Sequence, residues 1–188
     1  HIVRAICATL AELKRSFPTV GTQLDEDVFF ITSQELEDLY PSLTPKQRED
    51  EIIKKHPTAF IMQIGAPLRS GKPHDGRAPD YDDWSINGDL MFYDKVLGHA
   101  MEISSMGVRV DPESLRSQLR ARGLEKREKL YFHSLLLSGA LPLTIGGGIG
   151  QSRLCMLLLG KAHIGEVQSS IWDDATVTEC TKAGIELL

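Results

Sequence analysis

Residues Gly88–Val96 and His99–Val110 form two runs rich in strand-forming residues, with only Leu97 and Gly98 between them. A connection that short joins neighbouring strands only as an antiparallel hairpin, because a parallel pair needs a crossover of a dozen residues or more. An antiparallel sheet is therefore required, and the rest of the chain must supply layers to cover it. Ile2, Val3, Ile6, Leu10, Leu13 and Phe17 recur at helical spacing. Thr32 followed by Glu35 predicts a capping box and a helix through Leu39, stopped before Pro41. Thr44-Pro45-Lys46-Gln47 opens a second helix to about Lys55, with proline at its first position. Val28–Ile31 and Ala59–Ile64 read as short buried strands, and Asp111-Pro112-Glu113 starts another helix. Lys126–Leu137 is predicted helical, and Thr144–Ile149 is a strand leading into an apolar helix over Gly150–Leu159. Repeats and low-complexity tracts are absent. The expected class is α+β, an antiparallel β-sheet flanked by helices.

Composition narrows the function classes. A length of 188 residues is enough for one core without disulfide or metal staples. Twenty-one Lys+Arg against 26 Asp+Glu leaves a net charge of −5, which argues against a sequence-independent nucleic-acid binder. Cys7, Cys155 and Cys180 are odd in number and widely spaced, so neither a disulfide framework nor a zinc site is indicated, and a reducing compartment fits. Cys155, in the apolar helix, reads as a small core residue. The longest apolar stretch, Leu154–Leu159, is too short to cross a bilayer, and a secretory leader is not expected. His1 stands where an amphipathic pattern is already under way, so the chain is expected to begin part-way through a longer protein.

Three segments carry chemistry. In Thr144-Ile-Gly-Gly-Gly-Ile-Gly-Gln-Ser-Arg153, Gly146, Gly148 and Gly150 alternate, so one strand face lacks side chains and a flat ligand can lie on the backbone. Arg153 follows, with a guanidinium suited to stacking on a base or forking onto phosphate. The spacing is neither a dinucleotide fingerprint nor a P-loop. In the hairpin, Asp89 and Glu102 are expected to face each other across the ladder, where two carboxylates call for a cation such as nucleotide-bound Mg2+. Strict alternation puts Glu102, Ser104, Met106 and Val108 on one face and Ser105, Gly107 and Arg109 on the other, which separates Glu102 from Arg109 unless Gly107 introduces a bulge. The long segment Gly65–Asn87 holds His74 through Trp84, with Asp75, Asp80, Asp82 and Asp83, and segments of this kind are functional or disordered. His74, His99, His133 and His163 lack metal-ligand spacing.

Arg77-Ala-Pro-Asp-Tyr-Asp-Asp-Trp84, Glu102-Ile-Ser-Ser-Met-Gly-Val-Arg109, Thr144-Ile-Gly-Gly-Gly-Ile-Gly-Gln-Ser-Arg-Leu154 and His163-Ile-Gly-Glu-Val-Gln168 occur in this order. Together they resemble the AMP-forming aspartate–ammonia ligases, the asparagine synthetase A family, along nearly the whole chain. The acidic pair and glycine strand also resemble the catalytic core of class II aminoacyl-tRNA synthetases, above all the aspartyl, asparaginyl and lysyl group. Gly146-x-Gly148-x-Gly150-x-x-Arg153 corresponds to motif 3 of that core.

The resemblance implies a cytoplasmic homodimeric enzyme that converts aspartate, ammonia and ATP to asparagine, AMP and pyrophosphate through β-aspartyl-AMP. It implies Mg2+ held by Asp89 and Glu102, directly or through water, and ATP contacted by Ser105 and clamped by Arg153, with Gly146, Gly148 and Gly150 making room. It assigns Arg109 to the non-reacting carboxylate of aspartate and Asp82 to its ammonium or to the incoming ammonia. Arg77 and Ser104 join the aspartate set, or with Asp80 orient that loop. No membrane or nucleic-acid partner is expected. Residues 1–188 then form the C-terminal part of a single catalytic domain. Its N-terminal part, with the dimer-forming motif and an α-phosphate arginine, would precede His1, and a longer loop would lie between Ser85 and Asn87. The alternatives are a tRNA synthetase core of the aspartyl/asparaginyl type and a non-catalytic paralogue that binds aspartate or adenylate.

Overall fold

The computed structural model describes residues 1–188. Five strands form one sheet in the order β1-β2-β3-β4-β5: β1 Phe29–Thr32, β2 Thr58–Met62, β3 Asp82–Asp94, β4 His99–Arg109 and β5 Ile145–Ile149. The hairpin demanded by the short connection is present. Asp94 Oδ1 accepts the N–H groups of Val96 (2.8 Å) and Leu97 (3.1 Å), and Gly98 takes the left-handed conformation that the turn requires. The sheet is mixed, however. β1 runs parallel to β2, while the remaining pairs are antiparallel. The reason is the connection between β1 and β2, which holds α2 (Ser33–Leu39) and α3 (Pro45–Lys55) and so returns the chain to the same end. Both helices open with complete capping boxes, at Thr32 and Thr44.

The two sheet faces bury different layers. On one, α1 (Ile2–Ser16) and α6 (Gln151–Leu159) press Val3, Ile6, Leu10, Met156, Leu157 and Leu158 onto Leu90, Phe92, Met101 and Ile103. On the other, α2 and α3 press Leu36, Ile52 and Ile53 onto Ile31, Ala59, Ile61 and Met91. A third cluster joins Val110 to α4 (Pro112–Ala121) and α5 (Tyr131–Leu137). α7 (Asp174–Lys182), which the sequence reading did not assign, is announced by Asp173, whose carboxylate accepts the Thr176 N–H at 3.0 Å.

Several boundaries differ from expectation for local reasons. β2 stops at Met62, not Ile64, because Gln63 is left-handed (φ 61°), held by its N–H to Asn87 O and by Ser33 Oγ on its carbonyl. The helix expected over 126–137 is a 3-10 turn, Glu125–Lys129, then α5, separated by an extended Leu130. Cys155 is exposed rather than in the core, since α6 buries the face of Met156, Leu157 and Leu158 instead. No helix is long and apolar enough to cross a membrane.

Gly88, opposite Met62, shows how tightly the sheet is packed near the site. A Cβ there would lie 2.6 Å from Ile61 O and 2.7 Å from the Phe60 ring. Gly88→Ala is expected to destabilise the protein by about 1–3 kcal/mol through this overlap. Urea denaturation reads it directly, and an unchanged midpoint would contradict it.

Candidate active site

α2 and α3 cover their sheet face over β1, β2 and the hairpin end of β3 and β4, where Lys46 Nζ donates to Ala100 O and Asp50 Oδ1 accepts the Ala100 N–H, each at 2.8 Å. Beyond that end, over the rest of β3 and β4 and over β5, the same face stays open, and register decides which side chains stand on it. Asp89 pairs with Ser105 across β3–β4, Ser105 with Gly148 across β4–β5, and Gly107 with Gly146. Asp89, Ser105, Gly107, Gly146 and Gly148 therefore share one face. Gly146 and Gly148 leave its floor free of side chains, as their alternation implied.

Glu102 reaches this face through a bulge. Leu90 pairs with Ser104 but Met91 pairs with Glu102, so Ile103 has no partner of its own and turns with Ser104 to the opposite face. The expected direct Asp89–Glu102 opposition is thus corrected to a diagonal arrangement along one face. The bulge lies at Ile103 and not at Gly107, which pairs regularly. By the same slip, Glu102 joins Ser105 and Arg109. Ser104 is 2% exposed on the other face with an unpartnered Oγ, and is not brought to the aspartate cluster.

Asp89 is the most perturbed acid of the site. Its side chain is buried, its Oδ2 is ion-paired with the Arg77 guanidinium, and its Oδ1 has no hydrogen-bond partner. Burial pushes its carboxyl up to about 6; Arg77 opposes the rise and the Glu102 charge adds to it. No third carboxylate, imidazole or thiolate completes a cluster with the pair. Two carboxylates, one with a free buried oxygen, suit Mg2+, which takes one or two protein carboxylates and fills its remaining positions with phosphate oxygens and water. Arg153, on the first turn of α6, stands 3.7 Å from Glu102 Oε2, and its side chain packs beside Gly150. A cavity of about 650 Å³ is bounded by Asp89, Glu102 and Arg153 and extends to Lys46 and His74.

A second cluster lies toward the other end of the same strands. Arg109 forms an ion pair with the buried Asp82, donates to the Tyr81 hydroxyl at 3.1 Å, and lies 4.0 Å over the Tyr81 ring. Gly146 makes room for it: a Cβ there would be 2.6 Å from Arg109 Nη2. Asp82 stands against Gly107, where a Cβ would be 3.0 Å from its Cγ. Between Asp82 (opposite Arg109) and Asn87 (opposite Gly107) the ladder slips, so Asp83–Ile86 arch out of register.

The remaining acids of the loop have separate roles. Asp80 accepts hydrogen bonds from Arg127 and His133, both at 2.9 Å, which pins the loop. Asp83 accepts the Ser85 N–H at 2.9 Å. His74 is buried 3.1 Å from Glu49, and His163 caps a 3-10 turn, so neither belongs to a metal cluster. The Arg77–Asp89 pair and the stacking of Tyr81 escaped the sequence reading. An aromatic residue between two acids was the only signal for the latter.

Solved structures share this architecture. An aspartyl-tRNA synthetase from Entamoeba histolytica superposes with a TM-score of 0.62 at 17% identity, covering 93% of this chain and 39% of that one. An asparaginyl-tRNA synthetase from Pyrococcus horikoshii gives 0.60 at 18% identity, covering 87% and 41%. This likeness establishes a class II synthetase-like fold. In sequence, the chain is 54% identical to an aspartate–ammonia ligase of Clostridium tetani (100% of this chain, 55% of that protein). It is 57% identical to one of Lactobacillus johnsonii (100% and 56%). The chain spans about half the length of the curated relatives it matches. The model of the aspartate–ammonia ligase family matches residues 1–184. This chain, with its acidic pair, its glycine floor and its Asp82–Arg109 pair on one sheet face, belongs to the aspartate–ammonia ligase family.

Proposed function

We propose that the protein containing this chain makes asparagine from aspartate, ammonia and ATP through β-aspartyl-AMP, releasing AMP and pyrophosphate. We also propose that residues 1–188 are the C-terminal part of its catalytic domain. The observation that carries this reading is the joining of two unlike clusters on one open face. One is acidic and suits a metal-bound polyphosphate; the other pairs Asp82 with Arg109 and suits an amino acid bearing both charges. A homodimer in the cytoplasm, without membrane or nucleic-acid partners, belongs to the same proposal.

The side chains divide the work. Gly146 and Gly148 let the nucleotide lie against the backbone of β5, with Ser105 beside them. Arg153 is placed to stack on the base or fork onto phosphate, as a planar guanidinium can. Mg2+, held by Asp89 and Glu102, would neutralise charge on the polyphosphate as pyrophosphate departs. Arg77 offsets the Asp89 charge as its ion-pair partner. Arg109 binds the non-reacting carboxylate of aspartate in a bidentate fork, and Asp82 accepts from its ammonium or from the incoming ammonia. The side-chain carboxylate is thereby held toward the α-phosphate, so that attack becomes effectively intramolecular.

The test is an incubation of the complete protein with aspartate, ATP, Mg2+ and ammonium, with AMP, pyrophosphate and asparagine all measured. Absence of asparagine without added tRNA would overturn the proposal. In the same assay Arg153→Lys is expected to lose about 10²-fold in kcat/KM, because a point charge cannot replace the planar fork. A near-normal value would remove Arg153 from the site.

A further inference from the structure

We infer that Gln118, on the inner face of α4, is a positioning residue that sets Asp82 for the aspartate; the inference rests on the proposed ligase reading. Gln118 is 5% exposed and packs between Leu115 and Leu119, where a leucine would fit the apolar pattern better. A buried carboxamide costs stability unless its hydrogen bonds are made. Here they are all made, and all to the backbone of one segment. Oε1 accepts the Trp84 N–H at 2.8 Å, while Nε2 donates to Pro79 O and Asp82 O, each at 3.0 Å. The orientation of the amide is forced, since an N–H must meet its oxygen and the two carbonyls must meet its NH2.

The Trp84 N–H lies inside the stretch where β3 slips out of register with β4, and Pro79 O and Asp82 O lie before it. The ladder holds the segment at Asp82, opposite Arg109, and at Tyr81 O, which accepts the Val110 N–H at 3.0 Å, but not over Asp83–Ile86. Gln118 ties the two sides of that point together. The segment is closed further by the Trp84 indole, which donates to Ala78 O at 3.3 Å. The side chain emerging from it is Asp82, packed against Gly107 and paired with Arg109. Gln118 makes no hydrogen bond to a side chain of either cluster; its one link to them is the Asp82 backbone carbonyl. Asp89, Glu102 and Arg153 lie on β3 beyond the slip, on β4 and on α6, outside its reach. A residue acting this way should alter aspartate recognition and leave ATP recognition in place, a split that general loss of packing would not produce.

The experiment uses the complete protein, with Gln118→Met and with Gln118→Asn, which keeps the amide but withdraws it by one methylene. In both, KM for aspartate is expected to rise about 10-fold or more and KM for ATP to stay within about 2-fold. For Gln118→Met, kcat/KM for aspartate should fall about 10²-fold, the scale of a small misplacement at a reacting centre. Added to Asp82→Asn, Gln118→Met should raise the aspartate KM no further, because it acts through Asp82. Equal effects on both substrates, unchanged kinetics, or an additive loss in the Asp82→Asn background would each overturn the inference. If Gln118→Met does not fold, Gln118→Asn decides by the same criteria. A wild-type protein that forms no asparagine overturns the ligase reading itself, whereas an active wild type without the substrate split overturns only the role of Gln118.

Discussion

Asp89→Asn is expected to yield a protein that is more stable than the wild type at pH 7.5 and nearly inactive. The carboxyl titrates near 6 in the folded chain against an ordinary value of 3.8, so between those values the folded state binds more protons than the unfolded one. Stability from this group is greatest in acid and is lost as the pH rises through about 6, until the ionised, buried carboxylate costs its full amount. That difference corresponds to about 3 kcal/mol. Asparagine cannot ionise, and it offers the same volume and a neutral partner for Arg77. The variant should therefore gain about 2–3 kcal/mol at pH 7.5 and nothing at pH 3.5, read by urea denaturation at both values. A wild type more stable than Asp89→Asn at pH 7.5 would refute the account. Activity should fall about 10³-fold with a much higher Mg2+ requirement, because one of two metal-holding carboxylates has been neutralised. An unchanged metal titration would count against that role.

Arg109→Met is expected to remove activity by another route. The methionine fills space beside Gly146 and Tyr81 but leaves Asp82 buried without its cation. Removing one member of a buried pair destabilises more than removing both. Since Arg109 retains some exposure, about 2–3 kcal/mol is expected rather than the larger values of fully buried pairs. The double variant Asp82→Asn/Arg109→Met should recover most of that loss without recovering activity. Loss of the carboxylate fork should lower kcat/KM for aspartate by about 10²–10³-fold, with KM for ATP little changed. Additive stability effects in the double variant would show that the pair is not coupled. A parallel rise in both KM values would show that Arg109 does not read aspartate.

The contrast between these variants follows from how much of the site local sequence can express. The floor glycines Gly146 and Gly148 and the capping residues at 32 and 44 are local statements, and the structure places them as their spacing implies; Gly150, expected on the same strand face, lies beyond β5 as the N-cap of α6. The Asp89–Glu102 relation is different. It depends on which residue of β4 is extruded, and Ile103 was chosen because its side chain enters the α1–α6 core beside Leu90 and Phe92. That choice is made by packing across the sheet, so strict alternation alone puts Glu102 on the wrong face.

The family, the hairpin, the starts of α2, α3 and α4 and the chemical types available to the site were determined by the sequence itself. Each rests on short-range rules of turn length, capping and backbone freedom. Tertiary structure alone decided the parallel edge strand, the bulge at Ile103, the pairing of Arg77 with Asp89, and the ties from Gln118 to the Asp82 segment. These depend on contacts between residues far apart in the chain. Their energies come from burial and from satisfying polar groups once water has been excluded, and neither has a local signature.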